Sequence, residues 1–561
     1  MRKIWKTKPK INEECKLLAE KSGISLILAQ ILINRGIHSP ADAKKYLNCD
    51  LNDTHDPFLL KDMPLAVKHI KNAIKLKKNI FVYGDYDVDG LTSCAVLSNV
   101  LKQLGANVSC YIPHRVDEGY GLNKQACARI KQQGADLLIT VDCGISAFEQ
   151  VAYSHSIDLE VIITDHHQPV GKKVPRALAV INPFQAGCDY PYKHLAGVGI
   201  AYKLACALVG PEQDISENLD LVALGTICDV ALLTGENRIL VKHGLEKLSQ
   251  TKRIGLQALK DVAGINNKKV EAYHVGFILG PRINATGRMG SAEKALELLL
   301  SADYSQAIVL AQGLDNENKQ RQKEEAKTLR QALAMIDKEI NFKTDKAVVL
   351  HNDAWHPGVI GIVASRITER FYRPTILIST KDEIAKGSGR SIRNFHLFET
   401  IAQCDHLLEG FGGHEKAAGL SILKHNIESF KQSFNQMASS SLLPEDMMPM
   451  IAIDMQIPLS ALTETLINEI EKCAPFGMGN TRPLFSSVDL KLKGSPKVLR
   501  ANGFKMWITD GQVTCEALAS NFMDIDINHI QDGFSIVYSP SINDWQGIHT
   551  IQLKLKDMQF S

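Results

Sequence analysis

The sequence predicts an α/β protein with four parts: a parallel-sheet domain, a long connecting helix, a smaller α/β domain and a C-terminal β-barrel. Short continuous apolar runs alternate with helical segments from about residue 79 to about residue 183, as expected when strands are buried on both faces of a parallel sheet. The polar stretch "AQGLDNENKQRQKEEAKTLRQALAMIDKEI" has high helix propensity and no proline. The last part of the chain alternates apolar and polar residues at period two.

The apolar runs of the first α/β region are expected to form successive parallel strands. The run "NIFVYG" precedes the helical "LTSCAVLSNVLKQLG", and "NVSCYIP" precedes "NKQACARIKQQG". Three further strands are predicted in "DLLITVDCG", "LEVIITDHH" and "ALAVINP". Helical segments continue through "GIAYKLACALVG" and "ENLDLVALGTICDV" to about Leu300.

The order strand, helix, strand returns in "KAVVLHNDAW", "GVIGIVASRITERF" and "RPTILIST", which predicts a second α/β domain. The stretches "VDLKLKG", "GFKMWITDG", "FSIVYSP" and "HTIQLKLKDMQF" then predict a small antiparallel barrel or sheet. The predicted parts are an N-terminal extension (1–50), a first α/β domain (51–303), a connecting helix (304–342), a second α/β domain (343–449) and a β domain (450–561).

The composition is that of an ordinary folded protein and gives no global signal for a polyanion partner. Hydrophobic residues make up 45% and charged residues 22% of the 561 residues, and the formal net charge is +2. Any nucleic-acid contact must therefore come from local patches. Lysines cluster in "MRKIWKTKPK" and "IKNAIKLKKN", where a solvated face is the commoner explanation.

We expect a cytoplasmic, monomeric protein without membrane contact. The start of the chain has no apolar core of a signal peptide, and no apolar run reaches the ~18 residues of a membrane span. The 12 cysteines include no close Cys-x-x-Cys pair, which argues against a zinc site or a disulfide framework and suits a reducing compartment. The cysteines are interpreted as small core residues.

Acidic and histidine side chains follow several predicted strands at the same end. Three aspartates come directly after "NIFVYG", one follows "LLITV", and "DHH" follows "EVIIT". Because ligand sites of parallel α/β sheets lie at the carboxyl ends of the strands, these groups can converge at one edge of the sheet. The candidate ligands are Asp85, Asp87, Asp89, Asp142, His166, His167 and Asp229.

Such a cluster is costly without a cation, because crowded carboxylates raise one another's pKa and resist ionisation. Aspartate oxygens suit magnesium and manganese, and added imidazole shifts the preference toward manganese or another transition ion. Six or seven ligands suffice for two metals about 3.5–4 Å apart, the arrangement used for in-line displacement at phosphorus. Taken singly, each aspartate could instead be a turn residue or a helix cap, and the His-His pair could lie on the surface or in the core.

The ordered motifs of the chain resemble the DHH phosphoesterase superfamily. The stretches "VYGDYDVDG", "DCG", "TDHH" and "CDV" occur in that family's order. Three more, "GPRINATGRMG", "GSGRS" and "FGGHEKAAG", narrow the resemblance to the bacterial members that degrade single-stranded DNA from 5′ to 3′. The resemblance covers nearly the whole chain and implies a DHH catalytic domain, a linking helix, a smaller DHH-associated domain and a terminal OB-fold.

The resemblance also implies the metal ligands and the catalytic residues. It implies two ions of Mn²⁺ or Mg²⁺ held by Asp85, Asp87, Asp89, Asp142, His166 and Asp229. Asp142, His166 and His167 are implied to be catalytic, with His167 either a further ligand or a contact to the scissile phosphate. Which aspartate of "DYDVD" bridges the metals stays open.

Arginines and polar residues are candidates for binding the phosphodiester. Ser388 and Arg390 of "SGR" can bring backbone N–H groups and a guanidinium fork onto one phosphate. The resemblance implies that this pocket, with Arg115 of "PHR", holds the 5′ terminal phosphate. Arg282 and Asn284 are predicted to lie in a glycine-rich loop along the phosphate path, although Arg282 could equally brace the domain through a salt bridge.

Two further sets of residues have open roles. His414 of "FGGHEKAAG" is a candidate substrate contact, with a structural histidine as the alternative. Phe504, Trp507 and Trp545 lie among lysines and arginines of the β domain. OB-folds hold single strands by stacking bases on aromatic side chains in a basic groove, but aromatics of a small barrel are more often core. Only the domain as a whole is therefore assigned a strand-binding role.

The acidic cluster predicts metal-assisted chemistry at phosphorus, and the resemblance implies a metal-dependent exodeoxyribonuclease, specific for single-stranded DNA, that releases 5′ mononucleotides and acts in DNA repair and recombination. One metal would lower the pKa of a bound water, and both would neutralise charge on phosphorus. The resemblance suggests cooperation with single-strand-binding protein and with a helicase that unwinds the duplex.

Three alternative functions would share parts of this sequence pattern. A DHH phosphodiesterase for short oligonucleotides or cyclic dinucleotides shares the acidic motifs, but such relatives are typically shorter and lack a terminal β domain. An inorganic pyrophosphatase of the superfamily would have no use for such a domain. A catalytically inactive single-strand-binding scaffold would have lost metal ligands, whereas every expected aspartate and His166 are present.

Overall fold

A computed structural model describes residues 3–9, 11–114, 118–119, 121–266, 268–499, 503–519, 533–545 and 547–560. The chain divides into two compact units. The parallel-sheet unit comprises Ser39–Lys319 and Lys472–Arg482, and the mixed-sheet unit comprises Met1–His38, Gln320–Glu471 and Pro483–Ser561.

The helices and strands are numbered separately along the chain. The helices of the first half are α1 Glu13–Ser22, α2 Leu26–Ile33, α3 Pro40–Asn48, α4 Met63–Lys75, α5 Val88–Gln103, α6 Lys124–Gln132, α7 Phe148–Ser156, α8 Gly197–Val209, α9 Leu219–Cys228, α10 Gly235–Ser249 and α11 Ile254–Val262. The later helices are α12 Ala272–His274, α13 Gly280–Met289, α14 Glu293–Leu300, α15 Tyr304–Glu339, α16 Pro357–Phe371, α17 Leu397–Ala402, α18 Ile427–Ser441 and α19 Glu464–Glu471. The strands up to residue 423 are β1 Ile4–Thr7, β2 Asn79–Gly84, β3 Asn107–Tyr111, β4 Leu137–Val141, β5 Glu160–Thr164, β6 Ala179–Ile181, β7 Val348–Asn352, β8 Thr375–Ser379, β9 Ile384–Arg390, β10 Gly410–Gly413 and β11 Ala417–Leu423. The remaining strands are β12 Met450–Ile453, β13 Met455–Gln456, β14 Phe485–Leu492, β15 Lys497–Leu499, β16 Gly503–Thr509, β17 Thr514–Ala519, β18 Phe534–Trp545 and β19 Ile548–Gln559.

The parallel-sheet unit is built on a five-stranded sheet with the order β3-β2-β4-β5-β6. Every neighbouring pair is parallel. Along β2, Ile80 and Val82 enter one hydrophobic core, whereas Phe81 and Tyr83 enter a second core on the other face. The apolar runs are continuous because each face of the sheet has its own core, and the predicted parallel sheet is confirmed.

The strand order reverses at β2, which has β3 on one side and β4 on the other. In open α/β sheets, ligands bind in the crevice beyond the carboxyl ends of the strands at such a reversal. Strand β2 ends directly before Asp85, and β4 ends directly before Asp142. The topology therefore brings two predicted ligands to the same crevice.

The stretch "GPRINATGR" is helical, so the prediction of a loop at Arg282 and Asn284 is wrong. A π-helical turn over Val275–Leu279 leads into α13, whose proline occupies the first turn, where the missing N–H leaves no intrahelical bond unmade. The glycines of this stretch permit close packing instead of breaking the helix. A Cβ at Gly287 would lie 2.8 Å from the backbone oxygen of Tyr86.

The mixed-sheet unit contains the second α/β domain. Its five-stranded sheet has the order β10-β11-β9-β8-β7. Strands β7 and β8 are parallel and are connected by α16, and the other pairs are antiparallel. The N-terminal strand β1 pairs in parallel with β12 in this unit. As predicted, a long helix, α15, precedes the domain.

The C-terminal β domain is a seven-stranded sheet with the order β13-β14-β18-β19-β17-β16-β15 and an additional β14–β16 pairing. The prediction of an antiparallel arrangement is correct for most pairs, but β17 pairs in parallel with β19 and β13 with β14. Period-two alternation reports which face a side chain occupies, and it carries no information on the direction of the neighbouring strand.

The 12 cysteines are free thiols, and the interpretation as core residues is confirmed for the nine that are buried. Within the ranges that the structure describes, no helix combines the length and the apolar composition needed to cross a membrane.

Candidate metal centre

The turn between β2 and α5 carries the first acidic residues of the site. Asp87 is the N-cap of α5, and its Oδ1 accepts hydrogen bonds from the backbone N–H groups of Asp89 and Gly90 at 2.9 and 3.1 Å. Asp85 is buried just before this cap. Gly90 packs on it so closely that a Cβ would lie 2.7 Å from the Cα of Asp85. The final glycine of "DYDVDG" is therefore needed for the turn to form.

Asp89 joins the start of α8 to the site. Its Oδ2 accepts from the N–H of Gly197 at 2.7 Å, and its Oδ1 accepts from the N–H of Val198 at 2.8 Å. A carboxylate is favourable at a helix N-terminus, where backbone N–H groups lack intrahelical acceptors. Gly197 also lies against Asp142, since a Cβ there would be 2.7 Å from Asp142 Oδ1.

Asp142 and His166 form the centre of the cluster. Asp142 adopts a left-handed backbone with φ of 62°, which aspartate tolerates better than most residues. Its Oδ1 lies 3.1 Å from Nε2 of His166, a buried nitrogen that makes no hydrogen bond within the described part of the chain. Two neighbouring ligands of an octahedral ion with ~2.1 Å bonds lie about 3 Å apart. The spacing therefore suits one cation shared by these two side chains.

His167 is oriented by the buried carboxylate of Asp165. Oδ1 of Asp165 lies 2.7 Å from Nδ1 of His167 and accepts from the backbone N–H of His167 at 3.0 Å. Oδ2 accepts from the N–H of Ile145 at 2.9 Å. Burial opposes the charge on Asp165, but its hydrogen bonds with His167 hold its pKa below the usual range. A carboxylate in this position fixes both the ring orientation and the tautomer of a histidine.

Asp229 caps the C-terminal end of α9. The next residue, Val230, has φ of 60°, a left-handed conformation that is unfavourable for a β-branched side chain. Asp229 thus enters the site from a strained turn that leaves the helix.

The described residues contain three sets of potential ligand atoms, and within each set the atoms lie within 4.8 Å of one another. The sets are Asp85 with Asp87 and Asp142, Asp142 with His166 and His167, and Asp89 with His166 and Asp229. Asp142 and His166 each belong to two sets. The fold therefore brings together all seven candidate ligands, in an arrangement that can hold two adjacent cations.

The cluster resists full ionisation without a cation. Burial and the carboxylates of its neighbours, Asp89 foremost, raise the pKa of Asp142 well above its usual range. The same causes raise the pKa of Asp229 to about 7. Burial disfavours a charged His166, but the carboxylates of Asp89 and Asp229 outweigh it and raise the pKa of this histidine. A divalent cation removes the repulsion, and a donor set of carboxylates with imidazole fits Mn²⁺ or Mg²⁺.

Three segments of the chain match known families. Residues 79–226 match the DHH family, N-terminal domain, residues 344–440 match the DHHA1 domain, and residues 453–557 match the RecJ OB domain. The chain is also 39% identical over 561 residues to the single-stranded-DNA-specific exonuclease RecJ of Bacillus subtilis (strain 168), covering 99% of this chain and 71% of the relative. The chain belongs to the RecJ family. The resemblance to DHH phosphoesterases is thereby confirmed.

Solved RecJ structures share the whole architecture. RecJ from Thermus thermophilus in complex with Mn²⁺ has a TM-score of 0.85 and 30% identity, covering 100% of this chain and 80% of that chain. The Mg²⁺ complex of RecJ from the same organism has a TM-score of 0.80 and 30% identity, covering 100% of this chain and 78% of that chain. The predicted fold class, with its DHH, DHH-associated and OB domains, is confirmed.

Two predicted substrate residues of this RecJ family member lie together on β9. Nη1 of Arg390 donates to Oγ of Ser388 at 3.2 Å and to the backbone oxygen of Gly389 at 2.7 Å. Both side chains face α16 at Gly361, where a Cβ would lie 2.8 Å from Ser388 Oγ and 3.1 Å from Arg390 Nη2. Glycine at 361 leaves the space that this polar pair occupies.

Arg282 and Asn284 contact the protein itself. Nε of Arg282 lies 3.0 Å from Asp315 Oδ1, and its Nη1 donates to the backbone oxygen of Ile278 at 2.6 Å. The structure thus contains the salt bridge that the sequence left as an alternative. Oδ1 of Asn284 accepts from the N–H of Val88 at 3.3 Å, so this residue braces the first turn of α5 beside the acidic cluster.

The remaining predicted residues lie at the surface, in the core or outside the described ranges. His414 is exposed in the turn between β10 and β11, where its N–H donates to the backbone oxygen of Ala417 at 2.8 Å. Phe504 is buried, whereas Trp507 is 44% exposed. Arg115 and the side chain of Trp545 lie outside the described residues.

Sequence reasoning placed Asp165, the first residue of the "DHH" motif, at the acidic edge but assigned it no role, and it missed one other part of the site. An acidic residue two positions before a candidate ligand histidine is a signal for an orienting carboxylate. The start of α8, with Gly197 and Val198, binds Asp89 although these residues are far apart in sequence. Periodicity and spacing give no signal for that long-range contact.

Proposed function

We propose that this chain hydrolyses single-stranded DNA from the 5′ end and releases 5′ mononucleotides, using two ions of Mn²⁺ or Mg²⁺. The observation that carries the proposal is the overlap of the ligand sets, in which Asp142 and His166 are each common to two sets. Family membership also supports the proposal, because the chain belongs to the RecJ family and its relatives are named single-stranded-DNA-specific exonucleases. Solved relatives bind Mn²⁺ and Mg²⁺.

The side chains divide into ligands and supports. Asp85 and Asp87 would help to hold one ion and His166 and Asp229 the other, and Asp142 would contribute beside them, since it shares one ligand set with Asp85 and Asp87 and another with His166. Asp89 lies within ligand distance of the second set but also uses both oxygens to anchor α8, so its proposed role is mainly to align that helix. When bound, the two ions supply a hydroxide from water near neutral pH and neutralise charge on phosphorus.

His167 is proposed to hold the scissile phosphate. Its ring is fixed through Nδ1 by Asp165, so the orientation is set before substrate arrives and no rotamer freedom need be lost on binding. His167 also shares a ligand set with Asp142 and His166, which keeps it beside the reacting group.

Ser388 and Arg390 are proposed to bind the 5′ terminal phosphate, together with Arg115. A guanidinium fork presents paired donors to phosphate oxygens, and a neighbouring hydroxyl adds a third donor. Recognition of a terminal phosphate gives the enzyme its need for a free 5′ end. His414, on an exposed turn, is proposed as a further contact to the strand.

The OB domain is proposed to bind the single strand by stacking and charge, without reading its sequence. We place the enzyme in the cytoplasm, as a monomer, in DNA repair and recombination. A helicase and single-strand-binding protein are proposed to prepare its substrate, because a nuclease of this specificity needs an unwound strand.

The proposal is tested with a single-stranded oligonucleotide labelled at its 5′ end, the same label on a blunt duplex, and a closed single-stranded circle. With Mn²⁺ or Mg²⁺, we expect immediate release of labelled mononucleotide from the linear strand while duplex and circle stay intact. A chelator or Asp142→Ala should abolish release, with strand binding still detectable. Cutting of the circle, or activity confined to di- and trinucleotides, would contradict the proposal.

A further inference from the structure

The segment Lys472–Arg482, here called the strap, belongs to the parallel-sheet unit although the chain before and after it belongs to the mixed-sheet unit. The sequence places it within the predicted C-terminal domain, far along the chain from the metal ligands. The strap therefore leaves the domain of its sequence neighbours and makes its contacts within the parallel-sheet unit.

A buried arginine forms hydrogen bonds with the first part of the strap. The guanidinium of Arg238, on α10, donates to the backbone oxygens of Lys472, Cys473 and Ala474 at 3.1, 3.4 and 3.0 Å. It also donates to the backbone oxygen of Tyr46 at 2.6 Å and lies 3.8 Å from the centre of the Tyr46 ring. A planar, permanently charged fork can satisfy several carbonyls at once, so the attachment is fixed in both position and direction.

A buried asparagine closes the strap on itself. Nδ2 of Asn480 donates to the backbone oxygens of Cys473 and Pro475 at 2.9 and 2.7 Å. Oδ1 of Asn480 accepts from the hydroxyl of Tyr46 at 2.8 Å. Backbone bonds between Asn480 and Gly477, at 3.0 and 3.2 Å, complete the turn. The turn is therefore rigid at its base.

The tip of this turn contacts the loop that follows the metal ligand Asp229. This ligand loop spans residues 229–234. The N–H of Leu233 donates to the backbone oxygen of Met478 at 2.7 Å. A Cβ at Gly477 would lie 2.7 Å from Cδ1 of Leu233, and a Cβ at Gly479 would lie 3.1 Å from Cδ2 of Leu232. Glycines at both positions let the strap lie directly on the loop.

The backbone of the ligand loop is strained where it leaves α9, and bonds to that helix hold only its beginning, where the N–H of Ala231 donates to the backbone oxygen of Thr226 at 3.2 Å. Val230 has φ of 60°, and its side chain is 59% exposed, so packing of that side chain does not hold it in place. A β-branched residue keeps a left-handed conformation only when its surroundings determine it. The hydroxyl of Tyr192 and Nδ2 of Asn237 each donate to the backbone oxygen of Leu232 at 3.1 Å, and the strap holds the next residue.

We infer that the strap is a positioning element for the metal centre. Arg238 and Asn480 fix the strap, the strap fixes Leu233, and the fixed loop keeps Val230 left-handed so that Asp229 points into the ligand cluster. The inference rests on the proposed function in that Asp229 is taken as a metal ligand. Its new content is that residues with no contact to metal or DNA, in the C-terminal region of the chain, set the metal affinity of the catalytic unit.

The test compares Gly477→Ala with Met478→Ala. The added methyl group of Gly477→Ala meets Leu233, whereas the side chain of Met478 is 53% exposed and only its backbone oxygen binds the loop. In Gly477→Ala, we expect Mn²⁺ affinity, measured by calorimetric titration, to fall about tenfold, the size typical for partners that orient metal ligands. The value of kcat should fall while KM for the strand stays unchanged, and metal-free protein should stay folded with a somewhat lower unfolding temperature. Met478→Ala should match the wild type in every measurement.

A milder variant, Tyr46→Phe, covers the case in which Gly477→Ala does not fold. It removes only a hydroxyl, which lies 2.8 Å from Asn480 Oδ1 and 3.3 Å from the backbone oxygen of Cys473 in the strap, and it should weaken Mn²⁺ binding a few-fold. Wild-type Mn²⁺ affinity in both variants would overturn the inference, as would an equal loss in Met478→Ala. Asp229→Ala separates the two proposals. If it weakens Mn²⁺ binding and the strap variants do not, only the strap fails, whereas unchanged binding in Asp229→Ala would overturn the ligand assignment and the strap with it.

Discussion

Oδ1 of Asp165 lies 2.7 Å from Nδ1 of His167, and the backbone N–H groups of His167 and Ile145 hold the same carboxylate in place. Neither oxygen of Asp165 appears among the sets of potential ligand atoms in the described chain. Asp165 therefore acts on the site through the histidine ring and the loop that it binds.

Replacing Asp165 by asparagine should lower catalysis, at some cost in stability because the N–H₂ of the buried amide cannot accept the backbone bond that one carboxylate oxygen accepts. The amide keeps one acceptor but cannot supply the negative charge that stabilises the N–H of Nδ1, so the ring loses its fixed tautomer. We expect kcat on a 5′-phosphorylated single strand to fall about 10–100-fold, with KM little changed. Glu149→Gln, an exposed change on α7, is the matched control. An unchanged kcat would show that His167 needs no orienting carboxylate.

Metal binding should weaken as the pH falls through 7. The pKa of Asp229 is raised to about 7 by burial and by the carboxylate of Asp89, whereas the unfolded chain releases this proton near pH 4. In metal-free protein, the folded state thus binds more protons than the unfolded state between these values, so stability falls as the pH rises from about 4 to about 7. Below pH 7, a cation that binds Asp229 must displace the proton from its carboxyl group. Above pH 7, the carboxyl group is already ionised and no proton has to leave.

The expected result is a Mn²⁺ affinity about tenfold lower at pH 6 than at pH 8 from Asp229 alone, since one proton must leave a group with a pKa of about 7. The rise in unfolding temperature on adding Mn²⁺ should accordingly be larger at pH 8. Metal-free protein measured in chelator at each pH provides the baseline. An equal Mn²⁺-induced rise at both values would contradict the raised pKa.

Arg282 should matter more for stability than for substrate binding. Its ion pair with Asp315 and its bond to the backbone of Ile278 are both partly buried, so Arg282→Ala leaves a buried carboxylate with fewer partners, at a cost of about 2 kcal/mol. We expect a lower unfolding temperature with little change in KM for the strand. A selective rise in KM at unchanged stability would support the phosphate-path role instead.

The parallel sheet and its acidic edge could be predicted from the sequence because both depend on local patterns. Continuous apolar runs reflect a core on each face of β2, and the carboxyl ends of β2 and β4 meet at the strand reversal. In contrast, the glycines and proline of α13 suggested a loop, whereas Gly287 permits close packing on Tyr86. A glycine that serves a turn and one that serves packing look the same in a sequence.

Long-range contacts set the other limit on prediction. The strap reaches the ligand loop through Met478 and Leu233, and Asp89 reaches the start of α8 through Gly197. Each pair is distant along the chain and carries no periodic signal. The alternation of apolar and polar residues likewise could not predict that β17 and β19 pair in parallel.

Arg390→Ala should discriminate between 5′ ends. If Arg390 binds the terminal phosphate, its loss should raise KM at least about tenfold for 5′-phosphorylated strands, the cost of a charge-assisted hydrogen bond. Strands ending in a 5′-hydroxyl should be affected much less. Arg393→Ala, an exposed arginine on the same segment, is the matched control. Equal losses on both ends would argue against a terminal-phosphate pocket.

Trp507 and Phe504 on β16 offer a contrast between surface and core in the OB domain. Trp507 is 44% exposed, and Lys505 Nζ lies 5.9 Å from its ring centre, whereas Phe504 is 1% exposed. The exposed ring beside a lysine is suited to stack on a base, so Trp507→Ala should weaken binding of a long single strand in chelator by about 1–3 kcal/mol. Cleavage of a very short strand should be unaffected.

Phe504→Leu should show the opposite pattern, because its side chain contributes to packing within the barrel. We expect a loss of about 1 kcal/mol of stability, seen as a lower unfolding temperature, with single-strand affinity unchanged below that temperature. Fluorescence anisotropy with labelled strands of increasing length measures both variants against the wild type. Undiminished binding in Trp507→Ala at every length would mean that the strand follows another face of this domain.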